Sequence, residues 1–382
     1  MSLGSLKLNK GAHANFCKRF LFGIPGTFAE ADSSRAAIGF YCLGALDLTE
    51  LLESKTKVTE RDGWREWIWE QQVRGNTVSP SSDTNQEYVG GFRPGPFMRM
   101  DEPPNLKHSD EPETDEPVVS TSDISTDPPH LIMTYTAILS LAILRDDFAR
   151  LDRVGVRNLL RATQQDDGSF TATPGQGEAD VRMVYTAFAI CNMLDDWSAI
   201  DVEKAIIFIK SCYTYEGGFG QYAANEATGG PTYCCLASLR VVPKEYASQA
   251  SLTEEQRQKT IRWLVQNQRS GGGFCGRTEK VADACYSFWC GAALKILDEG
   301  ALIEERANAH FLYRCQASVG GFGKEPDDRP DPYHTYLSLA SLALLRVRGD
   351  GFDESWALPR LDPLLNATEE TAKWAREHLR SN

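Results

Sequence analysis

The chain has 382 residues, 42% of them hydrophobic, and a formal net charge of −13. That length can bury a large core, and the acidic balance disfavours general nucleic-acid binding. No run of about 18 apolar residues occurs, so no membrane span is expected; MSLGSLKLNKG does not read as a signal peptide, and ten unevenly spaced cysteines, with Cys234 and Cys235 adjacent, suggest reduced thiols in a cytoplasmic setting.

The first punctuation mark is Gly90-Gly91, followed by Phe92. Residues 101–129 come next, with nine acidic residues, one lysine and six prolines, so they carry −8 of the −13. Such a composition cannot bury enough apolar surface to order itself, and it reads as a disordered insertion. LIMTYTAILSLAIL (131–144) is then apolar nearly all round, as expected of a buried helix. The same order recurs down the chain. Glycine turns at 167–168, 217–218, 272–273 and 320–321 are each followed by a phenylalanine and then by an apolar helix. Those helices are VRMVYTAFAICNML (181–194), TYCCLASLRVV (232–242), CYSFWCGAALKIL (285–297) and HTYLSLASLALL (334–345). Between them lie amphipathic segments such as DVEKAIIFIKSCY (201–213) and TEEQRQKTIRWLVQNQ (253–268).

The second glycines are spaced by 77, 50, 55 and 48 residues, and the 77 falls to 48 once the 29-residue insertion is removed. A unit of about 50 residues suits two helices and two loops. Buried helices inside and amphipathic helices outside describe an all-α fold, an α/α toroid of six helical hairpins, as one domain over residues 1–382 with no convincing strand pairs. The glycine turns should gather where the inner helices begin and a central cavity opens.

Asp283, Cys285 and His334 occupy matching points of successive units, just after a glycine turn. Residues two apart diverge on a regular helix, so Asp283 and Cys285 converge only if Asp283 sits at the helix N-terminus. A carboxylate, a thiolate and an imidazole with the fourth position open form a catalytic rather than a structural zinc pattern. Taken singly, a buried cysteine is usually packing and an aspartate before a helix is usually a cap; Cys234, Cys235, Cys290 and Cys315 read as core. The open position admits a substrate water or a substrate thiol. Arg277 and Lys280 share a short loop beside these ligands, Arg182 opens an inner helix, and Tyr286 follows the cysteine. Together they suit a diphosphate, against the simpler reading of solvated loop charges. Asp327-Asp328-Arg329-Pro330-Asp331 formally matches DDxxD, but its prolines break the helix that motif needs, so it reads as a coincidental acidic loop.

These residues together resemble the β subunits of protein prenyltransferases, from SSRAAIGFYCLGALDL (33–48) to PDPYHTYLSLASLALL (331–346). The most specific stretches are DVRMVYTAFAICNMLDDW, GGPTYCCLASL, GRTEKVADACYSFW and PYHTY, and the likeness is greatest to the type I geranylgeranyltransferase kind. The resemblance implies a heterodimer with a helical-repeat α subunit. It also implies transfer of geranylgeranyl from its diphosphate to the cysteine of a C-terminal CaaX tail, as on small GTPases. Asp283, Cys285 and His334 match zinc ligands; Arg182, Arg277, Lys280, Tyr286 and Thr228 match the diphosphate set, and Lys324 and Tyr286 the catalytic positions. Ala37, Tyr41, Tyr135, Thr186 and Trp289 match the isoprenoid wall. Ser33, His130, Ile132 and Met183 match the peptide side. Ala37 stands where the farnesyl-transferring kind has a tryptophan that shortens the pocket, and Lys324 where it has an aspartate for magnesium. A lysine can neutralise leaving-group charge itself, so magnesium is expected to be dispensable. Thr228 departs from the family's usual histidine, and Ile132 and Met183 depart from its usual small and aromatic residues, which bears on the preferred terminal residue of the tail. The alternatives are a Rab-type geranylgeranyltransferase or farnesyltransferase β subunit, a terpene cyclase (which lacks its acid-rich motifs here), and a helical toroid used as a scaffold.

Overall fold

A computed structural model describes residues 6–76, 88–96, 127–347 and 351–380. Most of the acidic insertion expected at 101–129 lies outside these residues. The helices in chain order are α1 (Lys10–Phe22), α2 (Arg35–Leu48), the single turn α3 (Leu52–Lys55), α4 (Val58–Trp69), α5 (Leu131–Ile143), α6 (Arg153–Thr163), α7 (Val181–Leu194), α8 (Val202–Ser211), α9 (Gly229–Val241), the single turn α10 (Ala247–Ala250), α11 (Glu254–Gln266), α12 (Ala284–Ile296), α13 (Glu305–Cys315), α14 (Pro332–Leu345) and α15 (Glu369–Arg380). The chain forms an all-α, α/α toroid. The inner ring packs α2 on α5, then α7, α9, α12 and α14, and α14 returns to α2.

Composition sorts the layers. In α5 every residue except Ile132 is buried, so that helix fits only where protein surrounds it. In α6 the buried set Val156, Leu159, Leu160 and Thr163 recurs at helical spacing and forms one stripe, which places α6 in the outer layer. Phe170, Phe219, Phe274 and Phe322 are fully buried, each bridged to the end of the preceding outer helix.

The glycine turns couple neighbouring hairpins. Gly168, Gly217, Gly272 and Gly320 hold positive φ angles of 90, 108, 93 and 92°. Each lies against a backbone carbonyl of the next outer helix, namely Lys204, Lys259, Ala307 and Ala12, so closely that a Cβ would overlap it. The last contact matters most: the turn after α13 packs on α1, so the first helix of the chain completes the outer ring beside the last repeat. The turn at Gly90 instead meets the backbone of Gly155 on α6. Between α1 and α4 no such turn intervenes, and a cavity of about 510 Å³ opens there, lined by Phe20, Phe22, Trp64 and Trp67.

The expectation of no strand pairs is corrected. Among the described residues three short antiparallel pairs occur: β1 (Gln72–Asn76) with β2 (Tyr88–Phe92), β3 (Thr171–Thr173) with β4 (Gln176–Ala179), and β5 (Leu361–Asp362) with β6 (Ala367–Thr368). They are two-stranded and leave the toroid unchanged. The β5–β6 turn projects into the interior. Tyr135, Tyr185 and Tyr233 donate hydroxyl hydrogen bonds to the carbonyls of Leu365, Leu364 and Pro363 at 2.8, 3.1 and 2.9 Å, and Tyr336 donates to Asn366. Four equivalent positions on four inner helices thus bind four successive carbonyls.

Replacing Gly272 by alanine places a side chain on the Ala307 carbonyl at positive φ. It should cost about 2 kcal/mol or more and lower the thermal midpoint by several degrees. Gly271→Ala, whose Cβ would meet only the end of Arg314 at 3.8 Å, should unfold like the parent; equal midpoints for the two variants would refute the role assigned to this contact.

Candidate metal centre

All six inner helices start at the same rim of the toroid. Their N-cap residues are Ser34, His130, Asp180, Thr228, Asp283 and Asp331. Asp283 adopts extended backbone (φ −136°, ψ 135°) and its Oδ1 accepts from the Cys285 amide at 2.9 Å. That break from helical geometry lets two residues so close in sequence converge, as expected. His334 lies on the first turn of α14, the next inner helix, and its Nε2 is 3.4 Å from Asp283 Oδ1. Ligand atoms of Asp283, Cys285 and His334 all lie within 4.8 Å of one another.

A fourth residue belongs to this centre. Asp331 accepts from the His334 amide at 2.9 Å, and its other oxygen lies 2.5 Å from His334 Nδ1. This fixes the ring and turns Nε2 toward Asp283 and Cys285, the usual second partner of a metal-ligating histidine. The acidic run containing Asp331 was expected to be incidental. That holds for the motif, since Asp327 sits in a left-handed turn (φ 72°) and the helix begins only at Pro332. It fails for Asp331. The available signal was an aspartate three residues before a histidine at a helix start.

The centre is built for a positive charge. Burial lowers the His334 pKa, but hydrogen bonds to Asp283 and Asp331 outweigh it and raise the value to about 9. Burial also works against ionised Asp283, yet hydrogen bonds from His334 and Cys285 hold its carboxyl below the usual range. Burial, then the Asp283 charge, push the Cys285 thiol well up. With protons alone, a cationic imidazole therefore sits between two carboxylates beside a neutral thiol. A divalent cation satisfies all of these donors at once, so the residues fit a tetrahedral N/O/S ion such as zinc.

The proposed anion residues flank this centre. Arg277 and Lys280 are exposed on the loop leading into α12, and Arg277 Nη1 donates to Glu226 at 2.9 Å. Tyr286 lies wedged against Gly229 and Gly276, where any side chain would overlap its ring. The amide of Gly229 bonds the Gly276 carbonyl at 2.9 Å. The carbonyl of Lys324 accepts from the Ala284 amide at 2.8 Å, which brings an exposed lysine against the ligand-bearing helix. Arg182 lies two hairpins earlier, gripped by Asp180 at 2.6 Å and by Glu178, hydrogen bonds that raise its pKa further. Thr228 caps no amide; its hydroxyl lies 3.3 Å from the Glu226 carbonyl.

Below the rim the interior is aromatic. Trp289 Nε1 donates to the Tyr333 hydroxyl at 3.0 Å, and its ring packs on Tyr233 and Phe288. Tyr41 packs on Tyr333 and Tyr336, while Tyr135 sits deeper, tied to Tyr185 and the β5–β6 turn. Thr186 bonds only carbonyls of its own helix, at 3.0 and 3.2 Å. Ala37 is buried against Met133, with Ile132 and Tyr41 beside them, which unites two expected lipid residues and one peptide residue in one corner. His130 caps α5 through Nδ1, and burial lowers its pKa to about 4, so it is neutral at pH 7. Met183 is buried on the first turn of α7, and Ser33 is exposed, bonding the Glu30 carbonyl.

Comparison with known proteins agrees with this fold. The prenyltransferase alpha-alpha toroid domain matches residues 8–367. A geranylgeranyl transferase type-1 β subunit of Dictyostelium discoideum is 33% identical over 371 residues, covering 96% of each chain. One from Arabidopsis thaliana is 40% identical over 239 residues, spanning 61% of this chain and 63% of that one. Among solved structures, protein geranylgeranyltransferase-I of Candida albicans, complexed with geranylgeranyl diphosphate, superimposes with a TM-score of 0.76 at 26% identity, over 98% of this chain and 100% of that one. The chain belongs to the prenyltransferase alpha-alpha toroid family, within its branch of type-1 geranylgeranyl transferase β subunits.

Proposed function

We propose that this chain is the catalytic β subunit of a zinc-dependent protein geranylgeranyltransferase of type I, acting in the cytoplasm with a helical-repeat α subunit. The observation that carries this reading is the convergence of Asp283, Cys285 and His334 at the rim, directly above an aromatic interior and beside Arg277, Lys280 and Lys324. Zinc held by these three ligands would keep a substrate thiol as thiolate at neutral pH, so no general base is needed. The substrate is the cysteine of a C-terminal CaaX tail, as in small GTPases. Its sulfur forms a bond to C1 of the isoprenoid as the C1–O bond to the diphosphate breaks.

The chain's own residues do the rest. Arg277, Lys280, Tyr286 and Arg182 hold the diphosphate at a rim where inner-helix N-termini converge and favour anions. Thr228 adds a hydroxyl to that set. Lys324 meets charge developing on the leaving oxygens, which makes magnesium dispensable. Tyr41, Tyr135, Thr186 and Trp289 exclude water along the lipid, and Ala37 leaves room for a fourth isoprene unit. Ser33, His130, Ile132 and Met183 face the peptide tail. Among the described residues no helix is long and apolar enough to cross a membrane.

The direct test is co-expression with an α subunit, followed by transfer of labelled farnesyl and geranylgeranyl groups to CaaX peptides ending in Leu or Ser. Geranylgeranyl transfer that proceeds without added magnesium and stops on removal of zinc is expected. Transfer only in the presence of an escort protein would favour the Rab-type reading.

Three variants sharpen the assignment. Asp331→Ala keeps all three ligands but releases the His334 ring; zinc affinity should fall about 10- to 100-fold, read by chelator competition. Lys324→Ala should lower kcat by roughly 100-fold with little change in KM for the peptide, because the lysine acts as charge develops. Ala37→Trp should reverse the ratio of kcat/KM values for the two lipids in favour of farnesyl, since the added ring fills the corner shared with Met133 and Tyr41; an unchanged ratio would remove Ala37 from the lipid wall.

A further inference from the structure

Two loops at the rim, each leading into an inner helix, are joined across neighbouring hairpins. One runs from α8 to α9 and carries Glu216, Glu226 and Thr228; the other runs from α11 to α12 and carries Arg277, Thr278 and Lys280. Thr278 Oγ1 donates to Glu216 at 3.0 Å, and the Gly229 amide bonds the Gly276 carbonyl at 2.9 Å. The first ties a side-chain hydroxyl to a carboxylate and the second ties backbone to backbone. The third is an ion pair. Arg277 Nη1 donates to Glu226 Oε2 at 2.9 Å, with both side chains nearly half exposed, 44% and 47%. The Glu226 backbone is steadied by the Thr228 hydroxyl on its carbonyl at 3.3 Å, while its carboxylate reaches out to the guanidinium.

We propose that Glu226 is a resident counter-ion of Arg277, displaced when a diphosphate binds and returning when it leaves. This rests on the placement of the diphosphate at Arg277. Glu226 thus sets the affinity of the anion site as a positioning residue, without touching the reacting atoms. The physics requires the pair to be weak, and it is. An exposed Arg–Glu pair contributes little and is screened by salt, so a ligand carrying two or more charges can outbid it. A carboxylate left beside the bound diphosphate adds like-charge repulsion, so the same residue that occupies the free site weakens the filled one. The α8–α9 hairpin, which opens α9 with Thr228, thereby supplies a carboxylate rather than a cation to this part of the rim. The consequence is faster escape of inorganic pyrophosphate after transfer and a lower tendency for this product to inhibit.

The test uses the full-length chain co-purified with its α subunit and inorganic pyrophosphate as the probe. Inhibition constants are measured against geranylgeranyl diphosphate for the parent, Glu226→Gln, Arg277→Gln and the double variant. Glu226→Gln keeps shape and surface exposure and loses only charge. It should bind pyrophosphate about three- to tenfold more tightly at low salt, with the gain shrinking as ionic strength rises. In the Arg277→Gln background the gain should largely vanish, because the counter-ion then has nothing to neutralise. Glu226→Asp, which shortens the reach by one methylene, should fall between parent and Glu226→Gln. Unchanged or weaker pyrophosphate binding in Glu226→Gln, with Arg277→Gln clearly impaired, would overturn the counter-ion role alone. A full gain that survives in the double variant would also overturn it, as a long-range field effect. Pyrophosphate binding unaffected by Arg277→Gln would instead remove the diphosphate from Arg277, and with it the reading on which this inference rests.

Discussion

Everything functional on this chain depends on one constraint: the inner helices all run the same way. Each hairpin returns its chain to the same rim before the next inner helix starts, so six N-termini face one opening. Their unsatisfied amides favour negative charge there, and their N-cap side chains are brought within reach of one another. Asp283 and Asp331 are both N-caps on adjacent inner helices. One offers an oxygen beside Cys285, and the other positions His334. A candidate metal centre, two of whose residues are ordinary capping aspartates, is thereby assembled by the repeat.

The rim and the interior are electrostatically opposite. Below the rim, polar groups are kept neutral: the tyrosine hydroxyls are pushed far up by burial, and His130 is pushed down to about 4. At the rim, cations are held by nearby carboxylates, Arg182 by Asp180 and Glu178, and Arg277 by Glu226. A protein of net charge −13 can still present positive charge at this mouth, because these cations stand where the helix ends add to their effect. An uncharged chamber under a charged mouth suits an amphiphile with a charged head and a long apolar tail.

Much of this was legible in the sequence because the repeat supplies its own internal alignment. Glycine turns fixed the period, and the period placed Asp283, Cys285 and His334 at the starts of successive inner helices. What escaped notice lacks a period. The β5–β6 segment, LDPLLNAT, is too short and irregular for a strand or helix pattern, yet four buried tyrosines depend on it. Those tyrosines do recur in the sequence, but hydroxyl partners far away in the chain cannot be read from spacing. Asp331 stands among neighbouring acids, Asp327 and Asp328, from which sequence alone does not separate it. The pairing of Arg277 with Glu226, 51 residues apart, follows only from which hairpins are neighbours.

The contact between Gly320 and the Ala12 carbonyl carries a consequence for how the molecule is made. The outer helices α6, α8, α11 and α13 find their preceding turns already synthesised, but α1 docks on a turn encoded more than 300 residues later. On the ribosome the apolar face of α1, with Phe16, Cys17 and Phe20, must wait beside α2 until the final hairpin emerges. Closing such a ring pays a large chain-entropy cost late and in a single step, so the toroid is expected to be completed only after nearly all of it has been translated. The interior tyrosines are expected to acquire their carbonyl partners late as well, since the β5–β6 turn follows all six inner helices in the chain.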